Sequence, residues 1–348
     1  VSARIIEKHI IELVLEAEQP IKHLSESFGN SAIIATRNVR QLDGSIARVP
    51  MLSGDAMRHG LRAASAWILV HAINGEQGPQ LSEAALRLLF AGGMVTGSGD
   101  AGSVRMGEYR RMVEMVPQLA FLGGCAENRT IPGTLSVDDA TLVCAESARF
   151  LPPWAVELVA AHGRAHEATY RESVEEVQRV RMDPSLRPDL RRLLESGDSD
   201  KIERRLEASE RASREGDAGA KDAAKSTMMP RRFERLVQGS LFFWRVEVDL
   251  FEPLVMDAFY ASLCYLAQHM VVGGGHSVGH GKLRVVDARR TVRKGLSLSE
   301  PQSIGLARVG DSAESALAPA GGKVGDAFVG HLTERAAKIT EYLRTVNA

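Results

Sequence analysis

The sequence predicts an α+β fold: a ferredoxin-like (RRM-like) βαββαβ core interrupted by a large polar insertion and smaller helical ones. Three observations predict it. An alternating apolar run near the N-terminus precedes a long amphipathic helix. A second alternating run near residue 240 is followed by a second apolar helix and another strand. Between these halves the composition turns polar, as an insertion would.

The elements follow in order. The run 10-IIELVLEAEQP-20 ends at a proline and puts Ile11, Leu13 and Leu15 on one face, so it reads as a half-buried strand. In 28-FGNSAIIATRNVRQLDG-44 a turn, a short strand and the Asp43-Gly44 pair predict a hairpin. The next helix has Ser53 as N-cap, Asp55 at the positive end of the dipole, and Met57, Leu61, Ala64 and Ile68 in a stripe ending before Gly75. A second helix is expected from Ser82 to Phe90, then a Gly/Ser loop over 92–102.

Strand character resumes at 131–146. Beyond Pro152 the chain is dense in Glu and Arg, and 215-EGDAGAKDAAKST-227 has almost nothing to bury, so solvated helices and a mobile loop are expected. The run 236-LVQGSLFFWRVEVDL-250 is a strand. After Pro253 a helix carries Val255, Phe259, Leu266 and Met270, with Leu263 beside them, and a strand follows at 283–288. One further amphipathic helix spans 326–346 through Phe328, Leu332, Ile339 and Leu343. The expected division is 1–150, with an insertion at about 76–117, then 151–234, then 235–348.

The chain of 348 residues carries a formal charge of −1, so any binding to nucleic acid must come from a local basic track. Its three cysteines, Cys125, Cys144 and Cys264, have no C-x-x-C spacing, which argues against a disulfide scaffold or structural zinc and for a cytoplasmic location. No run has the length and apolarity of a membrane span, so no membrane partner is expected.

The segment 273-GGGHSVGHGKLRV-285 has five glycines within nine residues and runs into a strand. Glycine serves where φ is positive or where another backbone comes close. A tight hairpin or packing bend is the plain explanation; a ligand's backbone is the other. His276 and His280 are four apart, but the glycines oppose the helix that would make them a metal pair.

Four patterns together resemble the RAMP superfamily, the repeat-associated proteins of CRISPR effector complexes. The stretch 48-RVPMLSGDAMRHGLR-62 is similar to its P-x-I-x-G-S-S-x-K/R-G-x-x-R helix start, and 119-LAFLGGCAENRTIPGTLSVDDATL-142 to its L-F-G … G-x-L-x-V-x-D-A segment. The stretch 231-RRFERLVQGSLFFWRVEV-248 is similar to its x-x-E-x-V-x-x-G-x-x-F-x-F-x-I strand, and the glycine segment to its G-G-x-x-S-x-G-x-G-K-V loop. The order of all four across nearly the whole chain most resembles the backbone subunit of type III and type IV complexes, with wording closer to type IV. The fold would then be a palm with an inserted thumb.

That resemblance implies a crRNA-binding subunit acting in antiviral defense. It would stack with copies of itself in a helical filament, hold guide RNA for pairing with target DNA or RNA, and work with other effector subunits, such as a helicase. No cofactor and no metal are called for. The residues implied to meet RNA are Arg37 and Arg40 by the hairpin, Ser53 with Arg58 and Arg62 on the first helix, and Lys225, Arg231 and Arg232 by the thumb. Gly273, Gly274, Gly275, His276, Ser277 and Lys282, with neighbouring Arg284, belong to the glycine loop and the strand after it, and Met228, Met229 and Phe233 would be a wedge between bases. Solvated helix charges explain Arg58 and Arg62 as well, and gap filling explains the methionines as well.

Type III relatives cut target RNA with the help of an Asp in the loop before the hairpin. Here that stretch has Asn30 and Ser31, neither of which can act as a carboxylate base. Asp43 lies at the hairpin tip, where turn chemistry explains it. The expectation is no intrinsic nuclease. The alternatives are a type III-like endonuclease and an α/β metabolic enzyme with a glycine-rich ligand loop. The second needs its loop between a strand and a helix, whereas this loop follows a helix and enters a strand.

Overall fold

The computed structural model describes residues 7–28, 31–73, 81–94, 102–126, 128–182, 201, 204, 207, 228–250, 252–306 and 323–345. In chain order the strands are β1 Glu7–Ala17, β2 Leu24–Phe28, β3 Ser31–Ile34, β4 Thr36–Arg40, β5 Ile46–Leu52, β6 Gly102–Ser103, β7 Gly124–Ala126 and β8 Arg129–Ile131. They continue with β9 Leu135–Val137, β10 Ala140–Leu142, β11 Val174–Met182, β12 Met228–Leu236, β13 Leu241–Leu250, β14 Leu283–Lys294, β15 Ser297–Leu298 and β16 Gln302–Ser303. The helices are α1 Gly54–Ile73, α2 Glu83–Ala91, α3 Met106–Met115, α4 Leu119–Leu122, α5 Pro153–His162, α6 Pro253–Gln268, α7 Asp326–Glu334 and α8 Ala336–Thr345.

The chain forms two compact units. The first comprises Val1–His23, Ala35–Val174 and Leu236–Ala348, and the second Leu24–Ile34 with Glu175–Arg235.

The first unit is mixed α+β around an antiparallel sheet in the order β15-β14-β1-β13-β10-β5-β4. The central strand β1 pairs antiparallel with both β13 and β14, so Leu13 lies opposite Trp244 on one side and Ala288 on the other. Alternation places Ile11, Leu13 and Leu15 on the buried face with Phe242, Trp244, Val246 and Val248. Helices α1 and α6 pack against each other over that face. Met57, Leu61, Ala64 and Ile68 are buried on α1, and Val255, Phe259, Leu263 and Leu266 on α6, as a 3.6-residue period requires.

The opposite sheet face is not bare, as a plain split βαβ would leave it. Helix α5 covers part of it: Trp154, Ala155 and Val159 pack on Val14 and Leu241, with Phe243 and Val286 at the margin. Trp154 Nε1 donates to Glu12 at 3.0 Å, and the Arg289 guanidinium lies 4.5 Å from the indole centroid. Beyond α5 the same face bears ion pairs such as Lys8–Glu247 and Arg284–Glu16.

Several sequence expectations need correction. The strand expected over 236–250 begins at Leu241, because Gly239, at φ +84°, turns the chain after β12. The 131–146 region is divided among β8, β9 and β10. The C-terminal helix is broken at Arg335 into α7 and α8, though Phe328, Leu332, Ile339 and Leu343 are all buried.

In the second unit, the sheet order is β11-β12-β3-β2. Here 174–182 is a strand where solvated helix was expected. Its β-branched Val174 and Val177 suit a strand beside β12, and Glu175 holds the Arg235 guanidinium at 2.6 Å. The part of the expected helical stretch beyond residue 182 and the loop 215–227 lie outside the described residues, apart from exposed positions 201, 204 and 207, while its start is α5.

Candidate nucleic-acid interface

The glycine segment closes on its own protein. A β-carbon at Gly273 would lie 2.4 Å from the carbonyl oxygen of Lys22, and one at Gly281 would lie 2.3 Å from that of Val272. Gly274 N donates to Lys22 O at 2.7 Å, and Gly281 N to Pro20 O at 2.9 Å. Gly275 and Gly279 have φ of +83° and +79°. The chain that comes close is therefore the segment 20–22, and four of the five glycines are required without any ligand. Gly274 is different: an added β-carbon would stand 3.8 Å from Lys22 O, an ordinary contact, and it carries no positive φ. The tip around Gly274, His276 and Ser277 is exposed.

Ser53 caps α1 as expected, accepting from Ala56 N at 3.3 Å, while its own N–H donates to His23 Nε2. The first N–H of the helix, on Gly54, donates to the Asp139 carboxylate at 2.8 Å. A β-carbon at Gly54 would lie 2.6 Å from Val137 O. The helix end thus already holds an anion and is packed against the β9–β10 segment. The positive end of the helix dipole is met by an intramolecular carboxylate cap.

Arg58 and Arg62 are likewise braces. Arg58 donates to Leu135 O at 3.1 Å and Leu122 O at 2.5 Å, and Arg62 to Gly123 O and Leu122 O at 3.1 Å each. Arg62 is 6% exposed, and burial, with the neighbouring Arg58 charge, pulls its pKa down to about 10. Its guanidinium satisfies carbonyls at the end of α4, which removes it from a phosphate track.

Lys282 is exposed and pairs with Glu18 at 2.8 Å, while neighbouring Arg284 pairs with Glu16 at 2.5 Å. In the second unit Arg232 is exposed, opposite Ser31 in the β12–β3 pairing. Phe233, beside it, is 6% exposed and so cannot be a wedge between bases as it stands. The side chains of Met228, Met229 and Arg231, and all of Lys225 and Asn30, lie outside the described residues.

Arg37 and Arg40 are exposed on β4 and border a cavity of about 320 Å³ on the outer sheet face. Asp138, Phe150, Phe243 and Arg245 line it too. Its walls are tied together: Arg37 donates to Thr141 Oγ1 at 3.2 Å, Gln41 to Glu146 O at 3.3 Å, and Arg149 to Arg40 O. Burial raises the Asp138 carboxyl, with Arg245 opposing that shift. Sequence reasoning missed Phe150, Arg149 and Arg245; an outward Arg in an alternating strand was the one signal available for Arg245. Asp43, at the hairpin tip, accepts from Ser45 N at 2.9 Å and Ser45 Oγ at 2.7 Å, which lowers its pKa.

No protein-family model matches the chain, and no curated protein does. Among solved structures, one described as "Type IV-B CRISPR Complex" is similar. It has 19% sequence identity over 84% of this chain and 93% of that one, with a TM-score of 0.48. Among the described residues, no group of three His, Cys, Asp or Glu side chains could hold a metal ion, and no helix is long and apolar enough to cross a membrane.

Proposed function

We propose that this chain is a guide-RNA-binding subunit of a CRISPR effector ribonucleoprotein, holding crRNA for pairing with a target. The observation that carries the reading is local charge in a nearly neutral chain. Arg37, Arg40 and Arg245 border one cavity, and Arg149 is bonded to the backbone of Arg40. Arg245 is paired with Glu247, and Asp138 and Asp139 also line the cavity, so the excess positive charge is carried by Arg37, Arg40 and Arg149, whose guanidiniums suit phosphate by their bidentate geometry. The four sequence patterns of the RAMP superfamily support the same class. The finer palm reading is supported by the strand order β14-β1-β13-β10, with α1 and α6 as the crossovers of a split βαβ.

Among the described residues of β1, β13 and β14, the outer sheet face offers one aromatic, Phe243, fewer than the two or three stacked aromatics by which RNA-recognition modules read bases. It is partly roofed by α5 and otherwise bears ion pairs. RNA would instead follow the hairpin and the end of the sheet near residues 138–150. Self-assembly along the guide, and cutting or unwinding by a separate subunit such as a helicase, complete the proposal. Asp43 is bound into its turn, so the chain itself is read as no nuclease.

Purification under gentle salt tests this. The expected product absorbs strongly at 260 nm, yields RNA on extraction and elutes as long oligomers. Protein that is free of nucleic acid and fails to bind added single-stranded RNA would overturn the reading. Regular cleavage of target RNA with magnesium, abolished by Asp43→Ala, would overturn the non-catalytic part alone.

A further inference from the structure

The cavity at the end of the sheet has a chemistry more specific than positive charge. Phe150 is 62% exposed, and the Arg149 guanidinium sits 4.5 Å from its ring centroid, so one face of the ring is already covered by a cation. Phe243 supplies a second aromatic wall, itself held by Trp154 with ring centroids 6.3 Å apart. Asp138 brings a carboxylate to the same space beside Asp139, whose carboxylate accepts from Gly54 N, and Arg37 and Arg40 bring guanidiniums, while Arg245 is paired with Glu247. The space is about 320 Å³, at the lower end of small-ligand clefts and suited to one nucleotide.

These walls are braced. Ser147 Oγ is buried and donates to Leu142 O at 2.6 Å, which fixes the turn that presents Arg149 and Phe150. Gln41 and Arg149 tie that turn to the β4–β5 hairpin. A cleft built by bonds between distant segments is preorganised, which lowers the entropic penalty of ordering a ligand.

We propose that this cavity receives a guanine nucleotide of single-stranded RNA, with its base against Phe150, its Watson–Crick edge on Asp138 and its phosphate beside Arg37 and Arg40. The base assignment follows from donor geometry. Guanine presents two adjacent N–H groups, at N1 and N2, and a carboxylate accepts two parallel hydrogen bonds. Uracil presents one N–H between two carbonyl oxygens, which a carboxylate repels. Adenine and cytosine pair an amino donor with a ring-nitrogen acceptor that also faces the carboxylate unfavourably. The ring contact holds any base, and the carboxylate selects among them.

The proposal rests on the RNA-binding reading for the source of the nucleotide, and the test separates the two. Binding of the full chain is measured by fluorescence anisotropy with a uridine homopolymer and with an RNA of equal length carrying guanosine at every third position. The wild-type protein should prefer the guanosine-containing RNA about tenfold, the size of one bidentate base-edge contact. Asp138→Asn, checked for an unchanged melting temperature, should abolish that preference while the uridine homopolymer still binds, and Phe150→Ala, checked likewise, should weaken binding of both RNAs. A preference that is absent, or that survives Asp138→Asn, overturns the proposal and leaves the RNA-binding reading standing. If neither RNA binds, GMP and UMP are titrated separately by ligand-observed NMR. GMP binding lost in Phe150→Ala then supports a guanine-nucleotide site while overturning both RNA as its source and the RNA-binding reading. No binding of either overturns both.

Discussion

A β-carbon on Gly273 would stand 2.4 Å from the carbonyl oxygen of Lys22, closer than packed atoms approach. Gly273 is also at φ +87°, where a side chain is strained whatever the space. Gly273→Ala should therefore destabilise the protein by roughly 2–4 kcal/mol, combining backbone strain with a displaced strand contact. Gly274→Ala should leave stability within about 0.5 kcal/mol of wild type. Urea denaturation of both variants checks the contrast. If Gly274→Ala keeps its stability yet weakens RNA binding, the exposed tip is part of the interface. If Gly273→Ala is as stable as wild type, the loop does not close on Lys22.

Arg62 and Arg37 should separate by what their loss affects. Removing Arg62 leaves the buried Gly123 carbonyl without its side-chain donor and Leu122 O with Arg58 alone, so Arg62→Ala should cost roughly 1–3 kcal/mol of stability. Arg37 is exposed, and Arg37→Ala should change stability by less than about 1 kcal/mol. In RNA binding the order reverses. Arg37→Ala should reduce the dependence of log affinity on log salt by about one phosphate contact, whereas Arg62→Ala, measured where it is folded, should leave the slope unchanged. Equal slopes for wild type and Arg37→Ala would remove Arg37 from the track.

Those two arginines show what the sequence reveals and what it hides. Local periodicity exposed the buried positions of β1 and α1, because the pattern that buries them lies within each element. Nothing local distinguishes Arg62 from a solvated charge one turn beyond Arg58; its acceptors lie at the end of α4, brought near by packing. The glycines at 273–281 signalled a close approach, yet the approaching Lys22 lies near the other end of the chain. Strand β11 was hidden for the same reason, since β12 follows only after the insertion. The basic cavity needed four separate segments to be assembled, and its aromatic wall, Phe150, looked like ordinary loop sequence.

The buried carboxylate of Asp257 fastens the C-terminal helices to the core. It accepts from Gly325 N and Phe328 N at 2.8 Å each, and so caps α7 from the second turn of α6. Asp257→Ala should lose roughly 2–4 kcal/mol, because two backbone N–H groups lose a charged acceptor in a buried place. Hydrogen exchange should show the loss first in α7 and α8, where these bonds anchor the chain. Uniform loss of protection across α1 and α6 as well would mean that the C-terminal helices do not open as a separate unit.

His9 and Tyr260 make the fold sensitive to acid. His9 Nδ1 lies 2.5 Å from Tyr260 Oη, and its Nε2 lies 3.5 Å from the Glu7 carboxylate. With the proton on Nε2 facing Glu7, Nδ1 accepts from the tyrosine hydroxyl. Burial lowers the pKa of His9 and nearby Arg290 lowers it further, while Glu7 pulls the other way. Burial pushes the Tyr260 hydroxyl up to about 12, so it remains a donor at neutral pH. The unfolded chain takes up a proton near the ordinary value of 6.5, and the folded chain does so at lower pH. Between those values the unfolded state binds more protons, so stability is fully present above that ordinary value and falls as pH drops towards the folded one. His23, also lowered by burial, adds a change of the same sign. The His9 contribution is therefore the difference between wild type and His9→Gln, which keeps a polar group for Tyr260. Urea midpoints measured at pH 7.5 and at pH 5.5 should fall more for wild type than for the variant. Equal falls would assign the acid sensitivity to other groups and remove His9 from this role.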